Sequence, residues 1–155
     1  MRKLILLLSI VISFYACSNN DNCCVNIDTN ITIKYLNEEG KNLFEIENGY
    51  KESDINIYHK INGEWKKFYD NKLDTPKGIS VIETENGTLL SLSPSLTTDQ
   101  NSYSETKIEF SNTDADIVKA AIENSNNNTI VTKVWYNDIL KWDTSNTNRT
   151  IEIVK

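Results

Sequence analysis

From Val25 onward, isoleucine, valine, threonine and tyrosine alternate with polar residues at a period of two, and turn signals interrupt them every eight to twelve residues. Successive side chains on a strand point to opposite faces, so this alternation commits the chain to half-buried β-structure. Strands of that length and spacing belong to an all-β sandwich or barrel.

Three hairpins carry the clearest signals. Residues 54–61 meet 64–69 across Asn62-Gly63, a dipeptide suited to a type I′ turn because both residues tolerate positive φ. Residues 79–84 meet 88–92 across Asn86-Gly87, and 129–136 turn at Asn137-Asp138 into 139–142. Further strands are expected at 103–110 and 150–154. Val25-Asn26-Ile27 and residues 31–35 read as one opening strand interrupted near Asp28, followed by a turn in which Gly40 supplies the permissive backbone. Residues 113–116 either cap a helix through Ile117, Ala120 and Ile122 or open a strand pairing with 129–136 across the loop 124–128. The pairing favours the strand.

Eight or nine strands in one domain are enough for two layers, and a chain of 155 residues with 39% hydrophobic content holds a single core. The expectation is an antiparallel two-sheet sandwich, immunoglobulin-like or transthyretin-like. A small lipocalin-like up-and-down barrel, able to hold an apolar ligand, is the alternative because adjacent hairpins serve either architecture. Three cysteines, one histidine and a net charge of −6 argue against a histidine-based metal cage, a disulfide-dense scaffold and a basic nucleic-acid binder.

The N-terminus differs from the rest. Arg2 and Lys3 precede the apolar run 4–15, whose twelve residues fall short of the roughly twenty that a membrane-spanning helix needs. Phe14-Tyr15-Ala16-Cys17 closes this run and resembles the lipobox of bacterial lipoprotein signal peptides, over residues 1–17 only. The resemblance implies cleavage after Ala16, diacylglyceryl and acyl chains on Cys17, and anchoring to the outer membrane on its periplasmic or outer face. An ordinary secretory peptide is the alternative. On this reading, residues 1–16 are a signal peptide, 17–24 a polar tether and 25–155 the β-sandwich domain. Losing Arg2 and Lys3 takes the formal charge from −6 to −8, so acyl chains and not basic residues would hold the domain to the membrane.

Cys23 and Cys24 are adjacent. Their Cα atoms lie about 3.8 Å apart across a trans peptide, under the ~4.4 Å usual for a disulfide, so a bridge between them is strained. They read as two thiols at the start of a strand or as a redox pair.

Register across Asn62-Gly63 puts Ile55, Ile57, Ile61 and Phe68 on a core face. It puts Asn56, Tyr58, Lys60, Trp65, Lys67 and Tyr69 on the other. Flat rings interleaved with hydrogen-bonding side chains can stack on sugars or anchor a protein interface, so Tyr58, Trp65 and Tyr69 are the candidate ligand-binding residues. In the last hairpin Val131, Lys133, Trp135, Leu140 and Trp142 share a face, which places both tryptophans in the core. His59 falls among the core isoleucines with no nucleophile or carboxylate indicated beside it. Asp114 and Asp116 have a spacing that a calcium loop uses, without that loop's glycine and terminal glutamate, and read as solvated turn carboxylates. Nucleophile elbows, phosphate loops and zinc spacings are absent from the sequence. The expectation is a non-catalytic envelope module, without cofactor or metal, contacting a protein or glycan.

Overall fold

The alternation becomes eleven strands among the described residues of the computed structural model, which are 25–125 and 127–155. Cys17, Cys23 and Cys24, with the signal peptide and the tether, lie outside the described residues. The strands are β1 (Ile27–Asp28), β2 (Ile31–Leu36), β3 (Asn56–Ile61), β4 (Glu64–Lys67), β5 (Ile79–Thr84) and β6 (Gly87–Leu92). After these come β7 (Tyr103–Ser111), β8 (Asp114–Ser125), β9 (Asn128–Tyr136), β10 (Ile139–Asp143) and β11 (Thr150–Val154). A 3-10 turn at Glu52–Asp54 precedes β3.

Two sheets form. The larger runs β1-β9-β8-β7-β3-β4, with β10 also beside β9, and the smaller runs β11-β2-β6-β5. The fold is all-β and a two-layer sandwich. It is not a closed barrel, and side chains fill the space between the layers: Ile33, Tyr35, Leu90 and Leu92 from one sheet meet Ile57, Ile108, Val118, Val131 and Val134 from the other, each at 0% exposure. Close-packed side chains of this kind hold the layers together by removing apolar surface from water.

The sheets are mixed and not purely antiparallel. The expected single opening strand divides at Thr29-Asn30, so that β1 pairs parallel with β9 in the larger sheet while β2 joins the smaller one. After β10 the chain crosses at the same end, and β11 therefore enters beside β2 running in the same direction, from Thr150 opposite Thr32 to Val154 opposite Leu36. Arg149 ties the two crossings together. Its guanidinium holds both carboxylate oxygens of Asp28 at 2.6 and 2.9 Å and lies over the Trp142 ring.

Two of the three turns match their sequence signals. Asn62 and Gly63 both take positive φ, 53° and 84°, as do Asn137 and Asp138 at 46° and 66°. The third shifts by one residue: Thr84 pairs with Gly87, so Glu85-Asn86 forms the tip and only Gly87 has positive φ, at 97°. A Cβ there would sit 3.2 Å from Glu45 Oε1, which accepts the Thr88 N–H at 2.7 Å. The close approach of the Asn42 to Glu45 loop, together with this backbone, explains the glycine. Residues 114–123 are strand, as their pairing favours.

Bulges correct the reading of the last hairpin. Ala121 faces Lys133 while Ile122 faces Val131, which leaves Thr132 unopposed; its hydroxyl donates to the Ala121 carbonyl at 3.4 Å. Lys141 is likewise unopposed between Leu140, facing Trp135, and Trp142, facing Val134. An extra residue flips the phase of a strand. Val131, Val134, Tyr136 and Trp142 therefore point inward, whereas Lys133, Trp135 and Leu140 point outward. Trp142 is core at 6% exposure, but Trp135 is half-buried on the outer face. In β3, Ile55 and Ile57 are buried as expected, Phe68 packs partly against the core, and Ile61 is only half-buried near the hairpin tip.

The bulge makes a sharp prediction. Val134→Lys, which buries an unpaired charge, should destabilise the protein by at least about 3 kcal/mol in urea unfolding. Trp135→Lys should cost about 0.5–1.5 kcal/mol, the value of its edge contact with Tyr103. The reverse order would place Trp135 inside and remove the bulge.

Candidate functional site

Period-two geometry leaves a second face outside each buried one. On the smaller sheet, a row of small hydroxyls crosses all four strands, Thr150, Thr32, Ser91 and Ser80 in register. The outer face of the larger sheet is different. Trp65 on β4 faces Lys60 on β3, Lys60 reaches Glu105 on β7, Glu105 faces Lys119 on β8, and Lys119 faces Trp135 on β9. The row spans four strand intervals of about 4.8 Å, so the backbone positions of its two tryptophans lie about 19 Å apart. Beside it Tyr58 faces Lys107, and Tyr103 meets Trp135 edge-on with centroids 5.5 Å apart.

Lysines thread between the rings. Lys107 Nζ lies 4.0 Å from the Tyr58 ring centre, Lys60 Nζ 5.6 Å from Trp65, and Lys119 Nζ 4.4 Å from Tyr103 and 5.7 Å from Trp135. Such cation–π contacts hold the aromatic faces in fixed orientation. Lys60 pairs with Glu105 at 2.6 Å and Lys107 with Glu109 at 3.6 Å. Tyr58 donates to Glu109 at 3.1 Å, and burial together with that bond raises its pKa. A groove of about 240 Å³ continues from this row between the Asn62-Gly63 tip and Thr97, Thr98 and Asp99, with Lys60, Tyr103 and Glu105 in its wall.

Of the three candidate binding rings, the structure brings two together. Tyr58 and Trp65 share the outer face, both half-buried, with Lys107 within cation–π reach of each. Tyr69 does not join them. Pairing with β3 ends when the Phe68 N–H donates to Ile57 O at 2.8 Å, after which Asp70 bonds to Pro76 O and the chain folds back. Tyr69, 65% exposed, lines a separate groove with Glu52, Pro76 and Lys77. Tyr103, Glu105, Lys107 and Lys119 carry no motif in the sequence, and Trp135, expected in the core, stands on this outer face instead. The phase of the expected strand 103–110 carries the signal for the first three, since Ile108 and Phe110 mark its inner face. That β7 lies next to β3 was not readable.

The aspartates are not solvated turn groups. Asp116 is 6% exposed and Asp114 half-buried, and Lys155 Nζ bridges the two carboxylates. Asn137 Nδ2 donates to Asp116 Oδ1 at 2.7 Å, Tyr136 donates to Asp116 Oδ2, and Tyr50 donates to Asp114 at 2.7 Å. The Tyr136 oxygen lies 3.1 Å from the Tyr35 hydroxyl. One hydroxyl carries one proton, so Tyr35 supplies the hydrogen between them. Burial first, then these neighbours, pushes the Tyr50 and Tyr136 pKa values far above the phenol range. The carboxylate oxygens are occupied by protein donors, and among the described residues no group of three or more potential metal ligands gathers.

His59 is half-buried and stacks on Phe68 with ring centres 4.2 Å apart. Its Nε2 has no hydrogen-bond partner, and desolvation lowers its pKa. Its cross-strand neighbours, Lys66 and Thr106, provide no carboxylate for acid–base work.

The end cluster predicts an acid response. Burial raises the Asp114 pKa, but hydrogen bonds from Lys155 and Tyr50 and the Lys155 charge outweigh it and leave it below the ordinary range. A depressed carboxylate contributes stability above its unfolded pKa of about 3.9 that is lost as pH falls through the folded value. The urea midpoint should therefore drop below about pH 4, and Asp114→Asn should flatten part of that drop. An unchanged profile in the variant would remove Asp114 from the response.

Comparison with known proteins finds no match: no family model, no curated protein and no solved structure matches the chain.

Proposed function

We propose that the protein is a lipid-tethered, non-catalytic binding module of the bacterial cell envelope, held to the outer membrane through Cys17, whose larger sheet presents its outer face to a glycan or a protein partner. The observation that carries the binding reading is the row Trp65, Lys60, Glu105, Lys119, Trp135, with Tyr58 and Tyr103 beside it. Half-buried rings with lysine ammonium groups over them are amphipathic contact area already held in place before binding, which lowers the entropy cost of association. The hydroxyl row on the opposite sheet lacks such anchors. The non-catalytic reading is supported by the isolation of His59 and by the occupied oxygens of Asp114 and Asp116. The anchoring reading is supported by Arg2, Lys3, the apolar run 4–15 and Cys17.

Two experiments test the two halves. Cys17→Ser should abolish fatty-acid labelling and move the protein from the membrane to the soluble fraction; labelling that persists would reject Cys17 as the anchor. In binding to an envelope glycan panel and to detergent-extracted envelope proteins, the double variant Tyr58→Ala/Trp65→Ala should lose at least about tenfold in affinity, as expected for hot-spot rings, with its fold intact by circular dichroism. Undiminished binding would set the platform aside. Tyr69→Ala, from the separate groove, should bind as the parent protein does.

A further inference from the structure

We infer that His59 is an acid-sensitive latch: a proton gained by its imidazole frees the edge strand β4 from the sandwich and takes Trp65 away from the outer face. β4 is held from one side, since it ends the larger sheet and pairs with β3 over Glu64–Lys67. By phase with Ile57 and His59 its inward positions are Glu64, Lys66 and Phe68, of which the first two are exposed. Phe68 is therefore the apolar anchor of the strand. It stacks on His59 with ring centres 4.2 Å apart and planes 22° from parallel. It also packs against Gly78, where a Cβ would come within 3.0 Å of Phe68 Cε1. The hold of β4 on the core thus passes through the imidazole.

The closed arrangement accepts only the neutral ring. Neutral imidazole carries one N–H and one lone pair, whereas imidazolium carries two N–H donors and a charge. His59 Nε2 is buried without a partner, so in the charged ring its N–H has no acceptor. No facing group compensates. On β4 the residue directly opposite is Lys66, whose like charge repels the imidazolium, with Glu64 further toward the hairpin tip. On β7 it is Thr106, whose Oγ1 accepts the Ser95 N–H at 2.8 Å, and residues 93–97 carry no charge. On β3 itself Tyr58 and Lys60 point outward, where Lys60 pairs with Glu105. Of the charged residues in 69–78, Asp70 accepts the Lys72 N–H, Asp74 lines the Tyr69 groove, and Lys77 donates to the carbonyls of Glu52, Ser53 and Ile55. Burial alone, with no charge contributing, lowers the His59 pKa. A folded-state value below the ordinary 6.5 makes the closed latch most stable above that pH; its stability falls as pH drops from there and levels off beneath the folded value. β3 keeps its pairing with β7 and Ile57 stays in the core, so the sandwich outlasts the departure of β4. Loss of ligand capture in mild acid is the consequence that rests on the binding role of the outer face; the latch itself does not rest on it.

Hydrogen exchange of the full chain in neutral detergent micelles tests the latch, at about pH 7.5 and about pH 5 and corrected for the intrinsic pH dependence of exchange. The β4 amides and the Phe68 N–H, which donates to Ile57 O, should be at least about tenfold less protected than the β8 amides at both pH values, because β4 opens while the sandwich stays shut. Their protection should fall by about a further tenfold at the lower pH, where one proton taken up about 1.5 pH units below the ordinary value can supply at most about thirtyfold. His59→Phe keeps a stacking ring without a titrating nitrogen, and His59→Gln removes the titration with a smaller side chain. Each should abolish the fall. Asp114→Asn should leave it as in the parent protein, since that carboxylate titrates at lower pH. A fall that survives both His59 variants, β4 protection that is equal at the two pH values in the parent, or β4 and β8 exchanging together would overturn the latch. No ligand enters this readout, so the latch and the binding role stand or fall separately.

Discussion

Burial of the two inner sheet faces against each other is the interaction from which the other features follow. Ile33, Tyr35, Leu90 and Leu92 on one side and Ile57, Ile108, Val118 and Val134 on the other leave no room for a ligand between the layers. A strand cannot bury one residue without turning its neighbours out, so each inner contact also specifies an outer one. Burying Val118 and Ala120 puts Lys119 outside, and burying Val134 and Tyr136 puts Trp135 beside it. The aromatic and lysine row is in this sense the reverse side of the core.

Polar groups close the end of the sandwich at which β2, β8, β9 and β11 converge. Tyr35 makes edge contacts with Phe44, Tyr50, Phe110 and Tyr136, and Lys155 lies 4.5 Å from the Phe110 ring centre while bridging Asp114 and Asp116. A half-satisfied buried carboxylate would be costly, and here both oxygens of Asp116 receive side-chain donors. The network links the smaller sheet, through Tyr35 and Lys155, to the larger one through Asp116 and Tyr136. It thereby fixes how the layers meet where apolar contacts alone would permit sliding. The opposite end is closed more cheaply by Arg149 on Asp28 and Trp142, partly exposed to water and screened by salt.

Much of the secondary structure was legible because it depends on local geometry. Asn62-Gly63 and Asn137-Asp138 adopt positive φ at both positions for the reason their residue types predict, and the strand reading of 114–123 followed from its potential partner. The failures have equally specific causes. Gly87 closes its turn with a positive φ and also makes room for the loop that packs over it, so the tip is Glu85-Asn86 and not Asn86-Gly87. Thr132 and Lys141 lie in runs whose composition carries no mark of a bulge, and the inverted phase sent Trp135 outward. Asp114 and Asp116 read as solvated in the sequence because Lys155, their counter-ion, is distant along the chain.

By itself the sequence determined an all-β architecture, a single core, the turns whose residues demand positive φ, the side of β3 that carries Tyr58 and the side of β4 that carries Trp65. These depend on interactions within a few residues, where period and backbone sterics leave little choice. Only the tertiary structure decided that β3 lies against β7, that Lys119 stands between Tyr103 and Trp135, that Tyr69 leaves the platform, and that two chain crossings at one end make β11 parallel to β2. Those outcomes depend on which strands share an edge and where an extra residue is absorbed, and both are settled by fitting the two layers together around their common core.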